Sequence, residues 1–260
     1  MLDPGARSRL AVTRFGDVRW FETIGSTNAW LLARAREGAA EGMVAVADHQ
    51  EAGRGRLGRS WVERPGSSLL VSVLLRPALD AERLHLATAV MALAAVDACQ
   101  AEAGVSPDLK WPNDLLLAGR KLAGILAETV VEGRDLAVVV GLGLNVSWPA
   151  DGSGAGPPSG GVALSQAVGF DVDRALLLVA LLGSLEDRYG ALADRAGQSA
   201  QATEYRRRCV TVGQLVRIDL ADETVTGTAA DVTPEGHLLV DIGMCLRRVM
   251  AGDVVHLRQP

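Results

Sequence analysis

Only two lysines occur in this 260-residue chain, Lys110 and Lys121, while the other 24 of its 26 basic residues are arginine. They bracket one stretch, Lys110-Trp111-Pro112-Asn113-Asp114 followed by Arg120-Lys121-Leu122-Ala123-Gly124. A chain so biased toward arginine keeps lysine where a compact, rotatable ammonium serves and a planar guanidinium fork does not. Chance placement under codon bias is the competing account. Proline disfavours helix at the residue before it, so Lys110 should project from the end of a strand into a fixed place. An ammonium there can hold a carboxylate and an adjacent phosphate together. The plainer alternative is an exposed strand-end lysine beside a packing corner at Trp111 and Pro112.

A second constellation is the run from Gln50 to Trp61, which sets Arg54, Arg56 and Arg59 within six residues, among Gly53, Gly55 and Gly58. Like charges this dense repel one another, and the glycines let backbone approach a ligand closely, so the free loop should be mobile until a polyanion orders it. A triphosphate fits, because guanidinium groups and backbone N–H donors neutralise charge that builds during attack at phosphorus. A solvated basic loop or an RNA-contacting segment would read the same way. Trp61 suits either stacking on a purine or a place in the core. Ser26, Thr27 and Asn28 supply short polar groups at a helix start, where they cap the helix or bind a polar ligand group. Gly141-Leu142-Gly143-Leu144-Asn145 departs from a dinucleotide fingerprint, since Val146 and Trp148-Pro149 follow it. Its alternating glycines leave one strand face bare, for a flat bicyclic ligand or adenine, or for tight sheet–helix packing. His49, His85, His237 and His256 have neither metal-ligand nor triad spacing.

These residues need a scaffold. Residues 21–25 read as a strand entering a helix at 28–37, capped by Ser26 or Thr27 and closed by Gly38. Residues 43–47 and 69–75 read as strands. Asp80 should cap a long alanine-rich helix over 81–103, with Leu84, Met91 and Ala95 inward and Gly104 at its end. Short strands are expected over 114–117, 122–129 and 136–144, a mobile loop over 149–161, and a second long helix over 173–189. From residue 209 the texture changes to short strands over 215–220, 224–233, 237–241 and 246–250, which suggests a small five-stranded barrel appended to an α+β domain.

Bulk composition narrows the function. A net charge of −5 and a pI near 5.4 argue against a general nucleic-acid or membrane-surface binder. Cys99, Cys209 and Cys245 are widely spaced and odd in number, which reads as buried thiols in a reducing compartment. No stretch looks apolar enough to span a bilayer and the N-terminus has no signal-like core, so a cytoplasmic protein is expected.

Taken in order, Ser26-Thr27-Asn28, Gln50 through Trp61, Lys110 through Asp114, Lys121 through Leu126 with Glu128, and Gly141 through Asn145 resemble the biotin protein ligases, over residues 20–258. The resemblance implies a catalytic domain like those of class II aminoacyl-tRNA synthetases over residues 1–208, a mixed sheet flanked by helices, and an SH3-like C-terminal domain over 209–260. It implies activation of biotin with ATP and Mg²⁺ to biotinyl-5′-AMP and transfer to one lysine of a biotin carboxyl carrier domain of an acyl-CoA carboxylase, by a monomer or homodimer. Carried onto this chain, Ser26, Thr27, Asn28 and Gln50 would bind the biotin ring, with Gly53, Gly124, Gly141 and Gly143 letting backbone lie against it. Arg54 and Arg56 would hold the loop over the carboxyl and phosphate ends, and Lys110 would stabilise both. Arg59, Trp61, Asn113, Lys121 and Asn145 would serve the nucleotide, and any magnesium would come with the ATP phosphates. Only about 20 residues precede the resemblance, so no DNA-binding domain and no repressor activity is expected. A lipoate or octanoate transferase and an RNA-binding module are the competing functions, and neither explains all five segments together.

Overall fold

The structure, a computed structural model, describes residues 2–132, 135–148, 157–220, 223–250 and 252–257. Asp3 caps a first helix, α1 (Pro4–Leu10), by accepting the Ala6 N–H at 2.8 Å. Strand β1 (Val18–Ile24) leads into α2 (Thr27–Arg36), where Ser26 is the N-cap. Strands β2 (Val44–Gln50) and β3 (Ser68–Leu75) follow, then α3 (His85–Ala103), which ends at left-handed Gly104. Four strands come next: β4 (Asp108–Lys110), β5 (Asp114–Leu117), β6 (Arg120–Glu132) and β7 (Asp135–Asn145). Helices α4 (Leu164–Val168), α5 (Arg174–Gly190) and α6 (Arg195–Arg208) complete this part. The C-terminal strands are β8 (Leu215–Asp219), β9 (Thr224–Val232), β10 (Leu238–Asp241), β11 (Leu246–Val249) and β12 (Asp253–His256).

The fold is α+β. Seven strands form a mixed sheet in the order β1-β2-β3-β7-β6-β5-β4, parallel only between β1 and β2. All eight residues of β3 are buried, because helices cover both faces of the sheet centre. On one face α2 buries Leu31, Leu32 and Ala35 against Ala45, Leu74 and Val139. On the other, α3 and α5 pack Met91, Val90, Leu178 and Leu182 against Val71, Val73 and Val140. The second sheet is antiparallel, in the order β11-β10-β9-β8-β12. Residues 209–212 join the two sheets: Cys209 bridges Leu109, and the Val210 N–H donates to the Leu109 carbonyl at 2.8 Å.

Several expectations are corrected. Asp80 does not cap the long helix; its carboxylate pairs with Arg195 at 2.6 Å, and Ala81–Arg83 is a 3₁₀ turn before α3. Residues Ala81–Ala103 are long and apolar enough to cross a membrane by length and composition, contrary to expectation, yet α3 is the buried core helix between sheet and α5. Helices α1, α4 and α6 and strand β12 escaped the reading, while β4 is the strand expected to end at Lys110; α6, for one, has the polar sequence of a helix that buries little beyond Gln198 and Tyr205. Cys245 is exposed, and only Cys99 and Cys209 are buried. Of the segment 149–161, residues 149–156 lie outside the described residues. In its remainder Pro157 is buried and Arg120 donates to the carbonyls of Gly160 and Gly161.

The three helices behind the sheet meet at one ionic knot. Arg188 of α5 donates to Asp97 of α3 at 2.6 Å and to Glu204 of α6 at 3.1 Å, and Ser184 adds a bond to Asp97 at 2.5 Å. Burial pushes the Asp97 carboxyl up, but the bonds from Arg188 and Ser184 outweigh it and hold the group below the usual carboxylate range. The Arg188 bond likewise depresses Glu204. Depressed carboxylates contribute stability above their unfolded pKa and lose it as pH falls through the folded value. Arg188→Met should therefore cost about 1–2 kcal/mol near neutral pH, less than a fully buried pair because Asp97 keeps 36% exposure. In urea titrations the gap between variant and parent should close as the pH drops below the carboxylate range; a pH-independent gap would show that packing, not charge, is what the substitution removed.

Candidate active site

Between the β2–β3 side of the large sheet and its β4 edge lies a cavity of about 370 Å³, roofed by residues 54–62 and by the first residues of β12. Its floor is polar and buried. Ser26 ends the β1 turn and begins α2, so Thr27 and Asn28 sit on the first helical turn facing the sheet. Gln50, the last residue of β2, turns its Oε1 to Thr27, accepting the backbone N–H at 2.8 Å and lying 3.0 Å from Oγ1. Ser72, fully buried on β3, lies 2.7 Å from Thr27 Oγ1 and 2.6 Å from Asn28 Oδ1. The Asn28 amide nitrogen donates to the Leu126 carbonyl at 3.1 Å and to Glu128 at 2.9 Å.

The glycines of β6 and β7 are explained by what lies over them. A Cβ at Gly141 would come within 2.2 Å of Asn28 Oδ1, so the bare backbone there makes room for the Asn28–Ser72 contact. Gly143 and its cross-strand partner Gly124 carry the Trp61 indole, with a Cβ at Gly143 meeting the ring at 2.6 Å. Asn28 and Trp61 thus pack over part of this glycine face, while Gly124, Gly141 and Gly143 still line the cavity. Lys121 Nζ lies 6.0 Å from the centroid of the Trp61 ring, and the indole N–H is buried with no acceptor among the described residues.

At the other end five cations line the cavity, Arg54, Arg56, Arg59, Lys110 and Lys121. Residues 54–60 form a closed hairpin. Arg54 bridges Ser60, the Gly55 N–H donates to the Arg59 carbonyl at 2.7 Å, and Leu57 at the tip takes a positive φ of 54°. Neighbouring carboxylates offset the repulsion: Arg54 meets Glu128 at 3.3 Å, Arg59 meets Asp253 of β12 at 2.9 Å, and Lys121 meets Asp114 at 2.6 Å. Arg56 reaches inward, donating to Asn113 Oδ1 and to the Gly252 carbonyl, each at 3.3 Å.

Lys110 is held differently. The backbone after it is clamped by the C-terminal part of the chain. The Trp111 N–H donates to Thr211 Oγ1 at 3.0 Å, its indole N–H to the Gly236 carbonyl at 2.9 Å, and the Tyr205 hydroxyl to the Pro112 carbonyl at 3.1 Å. Burial lowers the Lys110 pKa, against the opposing pull of Asp114 and Asp253. Among the described residues no carboxylate pairs with it, and a partly desolvated ammonium in that state is a good anion holder.

Of the residues assigned to biotin or the nucleotide from sequence, all but Gly53 line this cavity. Gly53 instead lets the hairpin close, because a Cβ there would meet the Trp61 carbonyl at 2.8 Å. Asn113 and Asn145 also hold backbone, donating to the carbonyls of Ile125 at 2.6 Å and Val162 at 3.2 Å. Sequence reasoning missed Ser72 and Asp253. Ser72 was signalled by a hydroxyl inside an otherwise apolar buried run, whereas nothing local to Asp253 marks it.

A model of the biotin/lipoate A/B protein ligase family matches residues 20–145, and one of the biotin protein ligase C-terminal domain matches residues 211–257. The chain is 40% identical over 240 residues to the biotin–[acetyl-CoA-carboxylase] ligase of Mycobacterium tuberculosis, covering 90% of this chain and 86% of that protein. It is 30% identical over 236 residues to the bifunctional ligase/repressor BirA of Bacillus subtilis, with 90% and 72% covered. In fold it is similar to the biotin protein ligase from Aquifex aeolicus in complex with biotin and ATP, with a TM-score of 0.78 at 24% identity over 94% of this chain and 100% of that one.

Replacing Asp253 by Asn removes the charge that ties the hairpin to β12. One exposed ion pair is worth about 0.2–1 kcal/mol, so tryptic cleavage after Arg56 or Arg59 should rise by up to about fivefold. Unchanged cleavage would mean that the hairpin's own bonds keep it shut.

Proposed function

This chain belongs to the biotin protein ligase family, and on that footing we propose that it activates biotin with ATP to biotinyl-5′-AMP and passes the biotinyl group to a lysine of a biotin carboxyl carrier domain. It is an enzyme of the biotin–[acetyl-CoA-carboxylase] ligase type. The observation that carries the detailed reading is the polarity of one cavity: buried oxygen acceptors at the Thr27–Gln50 end and five cations at the Lys110 end. Biotin has matching ends, a ureido ring with N–H donors and a carboxylate. The triphosphate is the second anion that the cations can gather.

In the first step a biotin carboxylate oxygen attacks the α-phosphorus of ATP, the bond to the bridging oxygen breaks, and pyrophosphate leaves. Two anions must approach, so the barrier falls when fixed cations meet the charge that accumulates on the phosphorus oxygens. Lys110 is placed for that role by its clamped backbone. Arg54, Arg56 and Arg59 close over the reacting ends, and Lys121 and Trp61 wall the cavity beside the glycine backbone. In the second step a carrier lysine amine attacks the acyl carbon, the bond to AMP oxygen breaks, and the amine proton is lost to solvent. Closure of the hairpin keeps water from the mixed anhydride until then.

Magnesium finds no cage of its own here. Among the described residues no group of three or more His, Cys, Asp or Glu could hold a metal ion, and Asp114, Asp253 and Glu128 are each in an ion pair. A divalent ion would travel on the ATP phosphates, and the steps above assign it nothing.

Purified protein should exchange labelled pyrophosphate into ATP when biotin is present and not when lipoate replaces it; silence with biotin would overturn the ligase reading. Lys110→Ala should lower the rate by about 2.7–4 kcal/mol in barrier, roughly a hundred- to a thousandfold, as for loss of one preorganised donor. The buried ammonium gives up its proton at lower pH than a free lysine, so kcat/KM should fall along an alkaline limb below the ordinary lysine range. Lys110→Arg, which does not titrate there, should be slower but lack that limb; a limb that survives belongs to another group.

A further inference from the structure

The floor of the cavity contains more close oxygen contacts than protons to fill them. Three O···O contacts run in a chain: Asn28 Oδ1 to Ser72 at 2.6 Å, Ser72 to Thr27 at 2.7 Å, and Thr27 to Gln50 Oε1 at 3.0 Å. Only two hydroxyl protons are available, one on Ser72 and one on Thr27. Both amides at the ends have fixed orientation. The Asn28 nitrogen faces two groups that only accept, the Leu126 carbonyl and the Glu128 carboxylate, so Oδ1 must face Ser72. Gln50 accepts the Thr27 backbone N–H at 2.8 Å, so its oxygen, not its nitrogen, faces Thr27.

The protons can then be placed. Asn28 Oδ1 takes the Ser72 proton. Ser72 Oγ, left with lone pairs, takes the Thr27 proton. Nothing remains for the contact between Thr27 Oγ1 and Gln50 Oε1, and that contact is the longest of the three, as repulsion between lone pairs requires. Both of these atoms belong to residues that line the cavity.

We propose that Asn28 and Ser72 act as positioning residues that orient this chain of hydrogen bonds, so that Thr27 and Gln50 present only lone pairs to the substrate and select a ring that donates an N–H between them. The inference rests on the biotin reading and assigns a basis for its specificity to residues on α2 and β3. A cyclic urea supplies the missing proton. A ring with an ether oxygen in that position would add a third lone-pair oxygen to the gap, and a site built for a donor rejects the analogue lacking it far more strongly than it rejects a change of size.

The test is calorimetric binding of biotin and of its two carbamate analogues, each with one ring N–H replaced by oxygen, to the parent protein, Ser72→Ala and Thr27→Val. The parent should bind one of the two carbamates roughly 10²-fold or more weaker than biotin. In Ser72→Ala the Thr27 proton is released to the gap, and the preference for biotin over that carbamate should shrink about tenfold or more, whatever happens to absolute affinity. Thr27→Val, which removes one of the two acceptors without changing shape, should shrink it too and serves if the Ser72 variant fails to fold. A merely structural role for Ser72 weakens all ligands alike. If the preference ratio is unchanged in the folded variants, or the parent binds both carbamates as tightly as biotin, the inference is wrong; if the parent binds no biotin, it is the ligase reading that has failed.

Discussion

Like charge has to be gathered before this site can hold two anions, and the rest of the structure is arranged around that cost. Five cations border one cavity in a chain of net charge −5. Their mutual repulsion is offset locally, by carboxylates that come from three different places: Glu128 from β6, Asp114 from β5 and Asp253 from β12. Each takes one cation, which leaves Arg56 and Lys110 without a paired carboxylate among the described residues. The acidity of the chain is therefore not spread evenly, and the field inside the cavity is opposite in sign to the field of the whole molecule.

The second consequence concerns how two sheets come to share one site. The small antiparallel sheet supplies Asp253 and the Gly252 carbonyl to the arginine hairpin, and Gly236 accepts the Trp111 indole N–H from the segment that carries Lys110. Thr211, at the junction, accepts the Trp111 backbone N–H. The C-terminal strands thus set the geometry of charges that belong, in sequence, to the first half of the chain. Fixing a cation through buried backbone hydrogen bonds costs less side-chain entropy at the moment of binding than closing a loose loop does.

How much of this was legible in the sequence follows from what each signal depends on. Ser26, Lys110 and the glycines of β7 stand out because their types are unusual for their local setting, and the structure brings them to one cavity. The strands of the large sheet were readable from apolar runs, since both faces of β3 are covered. The ties of the hairpin were not legible, because they come from Gly252 and Asp253, about 200 residues away in sequence. The glycine face was half legible: alternation shows that side chains are missing, but not that Trp61 and Asn28 pack over part of the space they leave. Helix α6 was invisible because its polar sequence buries one tyrosine and one glutamine rather than an apolar stripe.

One last consequence lies in the two lysines. An acyl adenylate is an indiscriminate acylating agent toward unprotonated amines, and guanidinium groups stay protonated and do not act as nucleophiles at neutral pH. Lys110 and Lys121 both line the cavity, and the 24 other basic residues are arginine. The outer surface of this protein consequently carries no lysine amine on which an escaping intermediate could be captured. A maker of activated acyl groups with such a surface offers its own product few nucleophiles outside the cavity, the exposed thiol of Cys245 among them.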